Sequence, residues 1–324
     1  MIARLRRAGM SLALLALLAW WLDASAILDR LTGFDARCAL LALAISLPQI
    51  VLLAFRWRFT AARLGLDLPF GTALKEYYLA IFLNQVLPGA VMGDVSRAWR
   101  HGRAGSEHHI GPAARAVILE RASGQVVMGA VAALSLASLP LAYDAVPTTL
   151  TLAVFGLGVT SLVAFLALRR RPRAGPLATF GREAHTALFA RDALLVQLLS
   201  STLVVGTYLA TYVVAARAVG VDTPLWTLLP LIAPVLLSML IPATVAGWGV
   251  REATAAALWG AVGLTVEDGV AISAAYGILV LVSSFPGAFV LLAPGRDRTG
   301  GRFLATELDD SDGSAHRAIQ PPGP

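Results

Sequence analysis

Leu87-Pro88-Gly89-Ala90-Val91-Met92-Gly93, with Asp94 and Arg97 following, and Ile241-Pro242-Ala243-Thr244-Val245-Ala246-Gly247, with Trp248, Arg251 and Glu252 following, decide the reading of this chain. Each stretch has an apolar residue, Pro, two small residues, Val, a spacer and Gly at matching positions, then charges on the outgoing side. Both interrupt apolar sequence. A broken backbone at membrane depth frees amide and carbonyl groups that hydrocarbon cannot satisfy, so such elbows persist only where protein or a water-filled cavity covers them. Interrupted segments at corresponding places in two halves of a chain point to a transporter-type binding site.

Composition sets the class. The 324 residues are 57% hydrophobic and 14% charged, with mean hydropathy +0.71, values of an integral membrane protein. The net charge of +6 does not indicate nucleic acid, because the arginines gather between apolar runs as membrane anchors do. One cysteine, Cys38, excludes an internal disulfide and any multi-cysteine metal site.

Apolar runs long enough to span occur at about 8–27, 37–55, 117–139, 148–168, 193–216 and 270–292. In the first, Arg4, Arg6 and Arg7 precede Ser11–Leu22, and Ala24-Ser25-Ala26 has the form of a cleavage site. Trp20 and Trp21 instead mark the interface of a retained helix, the reading adopted here. Two further runs, about 73–87 and 225–241, end at the elbows. The limb after the first elbow is too polar to cross, so it reads as a turn or short interfacial helix; the return limb of the second, Ala253 to Leu264, is too short. The expected fold is all-α and integral to the membrane, with about six transmembrane helices and two re-entrant helical hairpins.

Arginine-rich segments lie before residue 8 and at 56–75, 97–115 and 169–191, while the alternate loops carry mainly Asp and Glu. This alternation places both termini in the cytoplasm of a bacterial-type inner (plasma) membrane. Three crossings separate the elbows, so the hairpins enter from opposite faces, as in an inverted repeat. Residues 1–293 form the membrane domain; 294–324, rich in Gly, Asp, Ser and Pro, form an expected disordered tail.

Ionisable groups within membrane segments face a cavity or a partner, because inserting one costs about 2.5–3.5 kcal/mol. Asn84, Asp94, Arg97, Glu120, Arg121, Arg251 and Glu252 are the candidates for a lipid-headgroup path. Pro88, Gly89, Gly93, Pro242, Gly247 and Gly249 shape the elbows. Asp94 and Arg97, at i and i+3, can instead pair on one short helix, or Arg97 can meet a lipid phosphate. Glu120-Arg121 reads equally as a solvated helix start or as a structural ion pair or headgroup site, and Arg56 and Arg58 read as positive-inside anchors. His101, Glu107, His108 and His109 fit no zinc spacing, and no nucleophile elbow, P-loop or dinucleotide fingerprint is present. No catalytic residue, cofactor or metal is therefore expected.

The run Phe55-Arg56-Trp57-Arg58, Asn84, Leu87 to Arg97, Leu119-Glu120-Arg121 and Ile241 to Ala253 resembles the transmembrane flippase-like region of the lysylphosphatidylglycerol synthase family, over about residues 5–293. Ala90-Val91-Met92 before Gly93 is looser than the family's Pro-Gly-Gly-Asp-like run, and Trp248 stands where a smaller apolar residue is commoner. The resemblance implies a translocator of a phospholipid or lipid-linked intermediate without the aminoacyl-transferase domain, so lysine transfer is not expected. Two alternatives stand beside it: a non-catalytic membrane partner of a glycosyltransferase or lipid-modifying enzyme, and an intramembrane enzyme acting on a lipid phosphate. Oligomeric state is not legible.

Overall fold

Proline and charge placement set the helix boundaries. The computed structural model describes residues 33–87, 91–104, 109–143, 176–241 and 244–292, with scattered helical residues between 152 and 163. The first apolar run and the tail lie outside the described residues, as do Pro88, Gly89 and Pro242 and most of the 148–168 run. The regular elements of the described residues are helices, and the residues up to Val290 belong to one unit.

Helix α1 (Ala36–Arg63) starts at Asp35, whose carboxylate accepts the Arg37 N–H at 2.8 Å. Helix α2 (Phe70–Val86) follows Pro69 and ends with Leu87 extended, the conformation favoured before a proline. Next come α3 (Met92–Arg103) and α4 (Ile110–Ala142). Helix α5 (Pro176–Ala184) leads through a π-helical turn, His185–Phe189, into α6 (Arg191–Ala218). The second half continues with α7 (Leu225–Ser238), α8 (Val250–Ala261), α9 (Val266–Ser284) and α10 (Pro286–Leu292).

Four segments are long and apolar enough to cross a bilayer: Ala36–Arg63, Ile110–Leu139, Arg191–Ala218 and Val266–Leu291. They coincide with four of the expected spans. Leu40, Leu47 and Val51 on α1 and Leu195, Leu199 and Leu203 on α6 are exposed, an outer apolar face that suits lipid rather than water. The polar limb after the first elbow is a twelve-residue helix, α3, not merely a turn.

Contacts between helices define two ends. At one, Arg63 of α1 pairs with Asp192 of α6, and Arg115 of α4 pairs with Glu183 of α5. At the other, the Asp35 N–H donates to the Ala218 carbonyl at 3.0 Å and the Tyr143 hydroxyl to the Thr227 carbonyl at 2.8 Å. Helix α2 therefore begins at the first end and α7 at the second. With 17 and 14 residues they reach about 25 and 21 Å, short of the roughly 30 Å hydrocarbon core.

Each short helix folds back onto the next. Gly93 sits so close to α2 that a Cβ there would overlap the Ala80 carbonyl, and Asn84 Oδ1 accepts the Gly93 N–H at 2.8 Å. In the second hairpin, Pro230 and Pro234 remove two backbone donors within α7. Gly247 and Gly249, at φ 79° and 88°, make the reversal into α8, and Ala246 takes φ 50°. A left-handed alanine is strained by about 1 kcal/mol or more, and such strain gathers at functional sites.

Among the described residues the core has two main centres. One surrounds Trp57 and Tyr77, with α1, α2, Ala98, Ala116 and Val204; the other surrounds Tyr212, Trp259 and Tyr276, with α4, α6, α7, α8 and α9.

Candidate functional site: two buried charge clusters around one chamber

The first cluster joins five helices. Glu120 of α4 is fully buried, although it lies nearly three turns inside the helix that begins at Ile110. Its Oε1 accepts Arg56 Nη2 at 2.6 Å and Nε at 3.0 Å; its Oε2 accepts Arg97 Nη2 at 2.7 Å. The Tyr77 hydroxyl adds contacts at 3.2 and 3.3 Å. Asp94 accepts from Arg97 Nε at 3.0 Å, from Arg121 Nη2 at 2.7 Å and from Asn84 at 3.3 Å. Arg56 also donates to Ser201 of α6 at 3.0 Å.

Two expectations change here. Arg56 is no interfacial anchor: it is 3% exposed, on the same inward face of α1 as Trp57 and Thr60, while Arg58 points outward. Glu120 is not a solvated helix start. A signal for Arg56 existed in Gly124, one turn after Glu120, where a Cβ would lie 2.9 Å from the Arg56 guanidinium. Asp94 and Arg97 do pair at i and i+3, but buried, where ion pairs are held by tight geometry rather than screened by water.

The second cluster is smaller. Arg251 and Glu252 are each 1% exposed. Glu252 Oε2 reaches back to accept the Gly249 N–H at 2.7 Å, satisfying an orphan donor at the start of α8. Its Oε1 accepts Arg251 Nη2 at 2.6 Å, and Ser273 of α9 bridges the two, 2.9 Å from Arg251 Nε and 3.1 Å from Glu252. Gly277 on α9 makes room, since a Cβ there would overlap Arg251 and crowd Trp248.

The clusters share a device. The Arg97 guanidinium lies 4.4 Å from the Tyr77 ring centre and 4.7 Å from that of Trp57; Arg251 lies 4.9 Å from Trp248 and 5.5 Å from Tyr276. Cation–π contact adds about 2 kcal/mol where the cation is desolvated. Trp248, a departure from the family pattern, thus supplies an aromatic wall for Arg251.

A chamber of about 210 Å³ separates the two cores. Arg56, Tyr77, Asn84 and Arg121 border it from the first cluster; Met239, Leu240 and Ala246 border it from the second hairpin, and Tyr276 from α9. Gln49, Gln85, Gln125 and Tyr208 add neutral polar groups, and Val204, Leu236 and Val280 an apolar side. Of the path candidates, Asn84 and Arg121 border the chamber. Asp94 and Glu120 stand behind the wall, and Arg97, Arg251 and Glu252 are sealed in their pairs. Gln49, Tyr77, Gln125 and Tyr208 were not singled out from sequence; amides and phenols inside apolar runs were the available signal. Among the described residues, no group of three His, Cys, Asp or Glu could hold a metal ion, and His101 packs edge-on against Trp57 at 5.6 Å.

Bilayer-length helices with lipid-facing apolar surfaces and buried charge define a multi-pass integral membrane protein. The chain belongs to the family of the lysylphosphatidylglycerol synthase transmembrane region, whose family model matches residues 10–287. Comparisons with curated proteins and with solved structures gave no match.

Proposed function

We propose that the protein translocates a phosphate-bearing lipid or lipid-linked intermediate, without enzymatic chemistry, by passing the headgroup through the chamber. The observation that carries this reading is the charge of the wall: among the described residues, Arg56 and Arg121 border the chamber and no carboxylate does. A phosphate cannot enter hydrocarbon without partners, and a wall with guanidiniums and amides supplies them while the acyl chains stay in lipid. Three arginines against two carboxylates leave the first cluster with one positive charge in excess, which an anion would balance.

In this reading α2–α3 and α7–α8 are re-entrant hairpins of an inverted repeat, entering from the cytoplasmic and outer faces. Their opposite starting ends, short helices and matching arginine–aromatic contacts support it. Single cysteines at Ala90 and Ala246 in a Cys38→Ala background are expected to label from opposite faces with impermeant maleimide. Labelling of both from one face would refute the inverted arrangement.

The transport test uses purified protein in vesicles with a fluorescent phospholipid. Arg121→Ala is expected to slow movement between leaflets by roughly tenfold to a hundredfold, the loss of one charge-assisted hydrogen bond of about 1.5–3 kcal/mol. Unchanged transport by folded Arg121→Ala would reject the chamber as the path. A wild-type protein that moves no lipid would support a non-transporting partner role instead.

A further inference from the structure

We infer that Asp94 is a positioning residue: it holds Arg121 between passages and takes it back from the lipid phosphate, so that the headgroup is released. The inference rests on the translocation reading above and deepens it at the same site.

Arg121 is the arginine of the first cluster that can leave without stranding a carboxylate. Glu120 keeps Arg56 and Arg97 at 2.6–3.0 Å, and Asp94 keeps Arg97 Nε at 3.0 Å. Among the described residues, the hydrogen bonds of Arg121 all go to Asp94, from Nη2 at 2.9 Å to Oδ1 and at 2.7 Å to Oδ2. Its side chain is 35% exposed, against 3% for Arg56 and 0% for Arg97. Its Nε is buried and has no partner among those residues, so even in the pair its demand for acceptors is unmet. Arg121 stands on the chamber wall and Asp94 behind it, in the first turn of α3. Asn84 fixes the carboxylate from α2: its Nδ2 donates to Asp94 at 3.3 Å, and its Oδ1 accepts the Gly93 N–H at 2.8 Å.

Release is what calls for a carboxylate there. A path conducts only if its sites bind strongly enough to admit a charge and weakly enough to let it go. A guanidinium aimed at a phosphate away from water, with nothing competing for it, would hold on to the headgroup. Asp94 competes for the same N–H groups. While Arg121 is on the phosphate, Arg97 and Asn84 still satisfy Asp94. When Arg121 returns, the phosphate loses a charge-assisted bond and moves on. Every glycerophospholipid presents that phosphate, so the exchange does not depend on what the phosphate carries.

Two measurements on the full chain test this: binding of dihexanoyl phosphatidylglycerol in a maltoside detergent, and movement of acyl-labelled phosphatidylglycerol between the leaflets of vesicles. Folded Asp94→Asn is expected to bind about tenfold tighter and to move lipid at least about tenfold slower, the scale of one charge-assisted hydrogen bond. Asp94→Glu, which restores a competing carboxylate, should reverse part of both changes. In an Arg121→Ala background most of the gain in binding is expected to disappear, because Asp94 acts through Arg121. If Asp94→Asn alone does not fold, Asp94→Asn with Arg97→Met removes a buried anion and cation together and frees Arg121 in the same way. Damage to the structure alone would weaken binding and slow movement together. That result, unchanged binding, or a gain that persists in full without Arg121 would overturn the exchange and leave translocation standing. Wild-type protein that moves no lipid would overturn the translocation reading itself, and inorganic phosphate that still binds in an Asp94-dependent way would then reassign the exchange to a free anion.

Discussion

Glu120→Ala is expected to destabilise the protein by about 3–5 kcal/mol, the cost of stripping a buried charge of its partner. The carboxylate is fully buried and holds Arg56, Arg97 and Tyr77 together, so its removal leaves two enclosed guanidiniums without their shared anion. Glu120→Gln keeps an acceptor oxygen but not the charge and is expected to lose less. Adding Arg56→Met to Glu120→Gln should recover part of the loss, because it removes one uncompensated cation and leaves an apolar stem of similar length. Thermal unfolding in detergent, followed by tryptophan fluorescence, reads the series through Trp57, which stacks on Arg97. A Glu120→Ala protein within about 1 kcal/mol of wild type would refute the cluster as the brace of the first half.

The second large effect is expected at Arg251. Arg251→Ala and Glu252→Ala should each cost about 3–5 kcal/mol, since either leaves a buried charge facing only neutral groups. Removing both should cost clearly less than the sum, with a coupling of up to about 3 kcal/mol, because the two side chains satisfy one another. Arg251→Lys should rescue only part of this. Lysine cannot reproduce the rigid fork in which Nε is shared between Ser273 and Glu252 while Nη2 also meets Glu252, and it loses the planar stack on Trp248. The double-mutant cycle is read by thermal stability and by lipid movement. Additive losses in stability would contradict the pairing. A folded double variant that transports at the wild-type rate would confine Arg251 to a structural role.

How much of this was legible in the sequence follows from which forces act locally. Long apolar runs, the helix break before Pro88 and the charges after each elbow are properties of a few neighbouring residues, and the described part of the fold agrees with them. The fate of individual charges is not local. Arg56 reads as an anchor because arginines close spanning helices on the cytoplasmic side; only the packing of α1 against α4 and α6 turns it inward onto Glu120 and Ser201. The same limit separates Arg121, which borders the chamber, from Arg97, which is sealed behind it. Both are arginines near a short helix start or a span, and their three-dimensional surroundings decide. Gly124 and Gly277 were the neglected signals, each one a space kept open for a guanidinium on another helix.

The central claim is that a lipid phosphate occupies the chamber between the two hairpins, and photo-crosslinking tests it most directly. A photoreactive residue would replace Tyr208, which borders the chamber, or Leu134, which is 71% exposed on the outer face of α4. The protein would sit in vesicles containing phosphatidylglycerol labelled on its headgroup. The account predicts headgroup adducts at position 208 that fall sharply when Arg121→Ala is added, with few at 134. Labelling confined to 134, or adducts at 208 indifferent to Arg121, would contradict it.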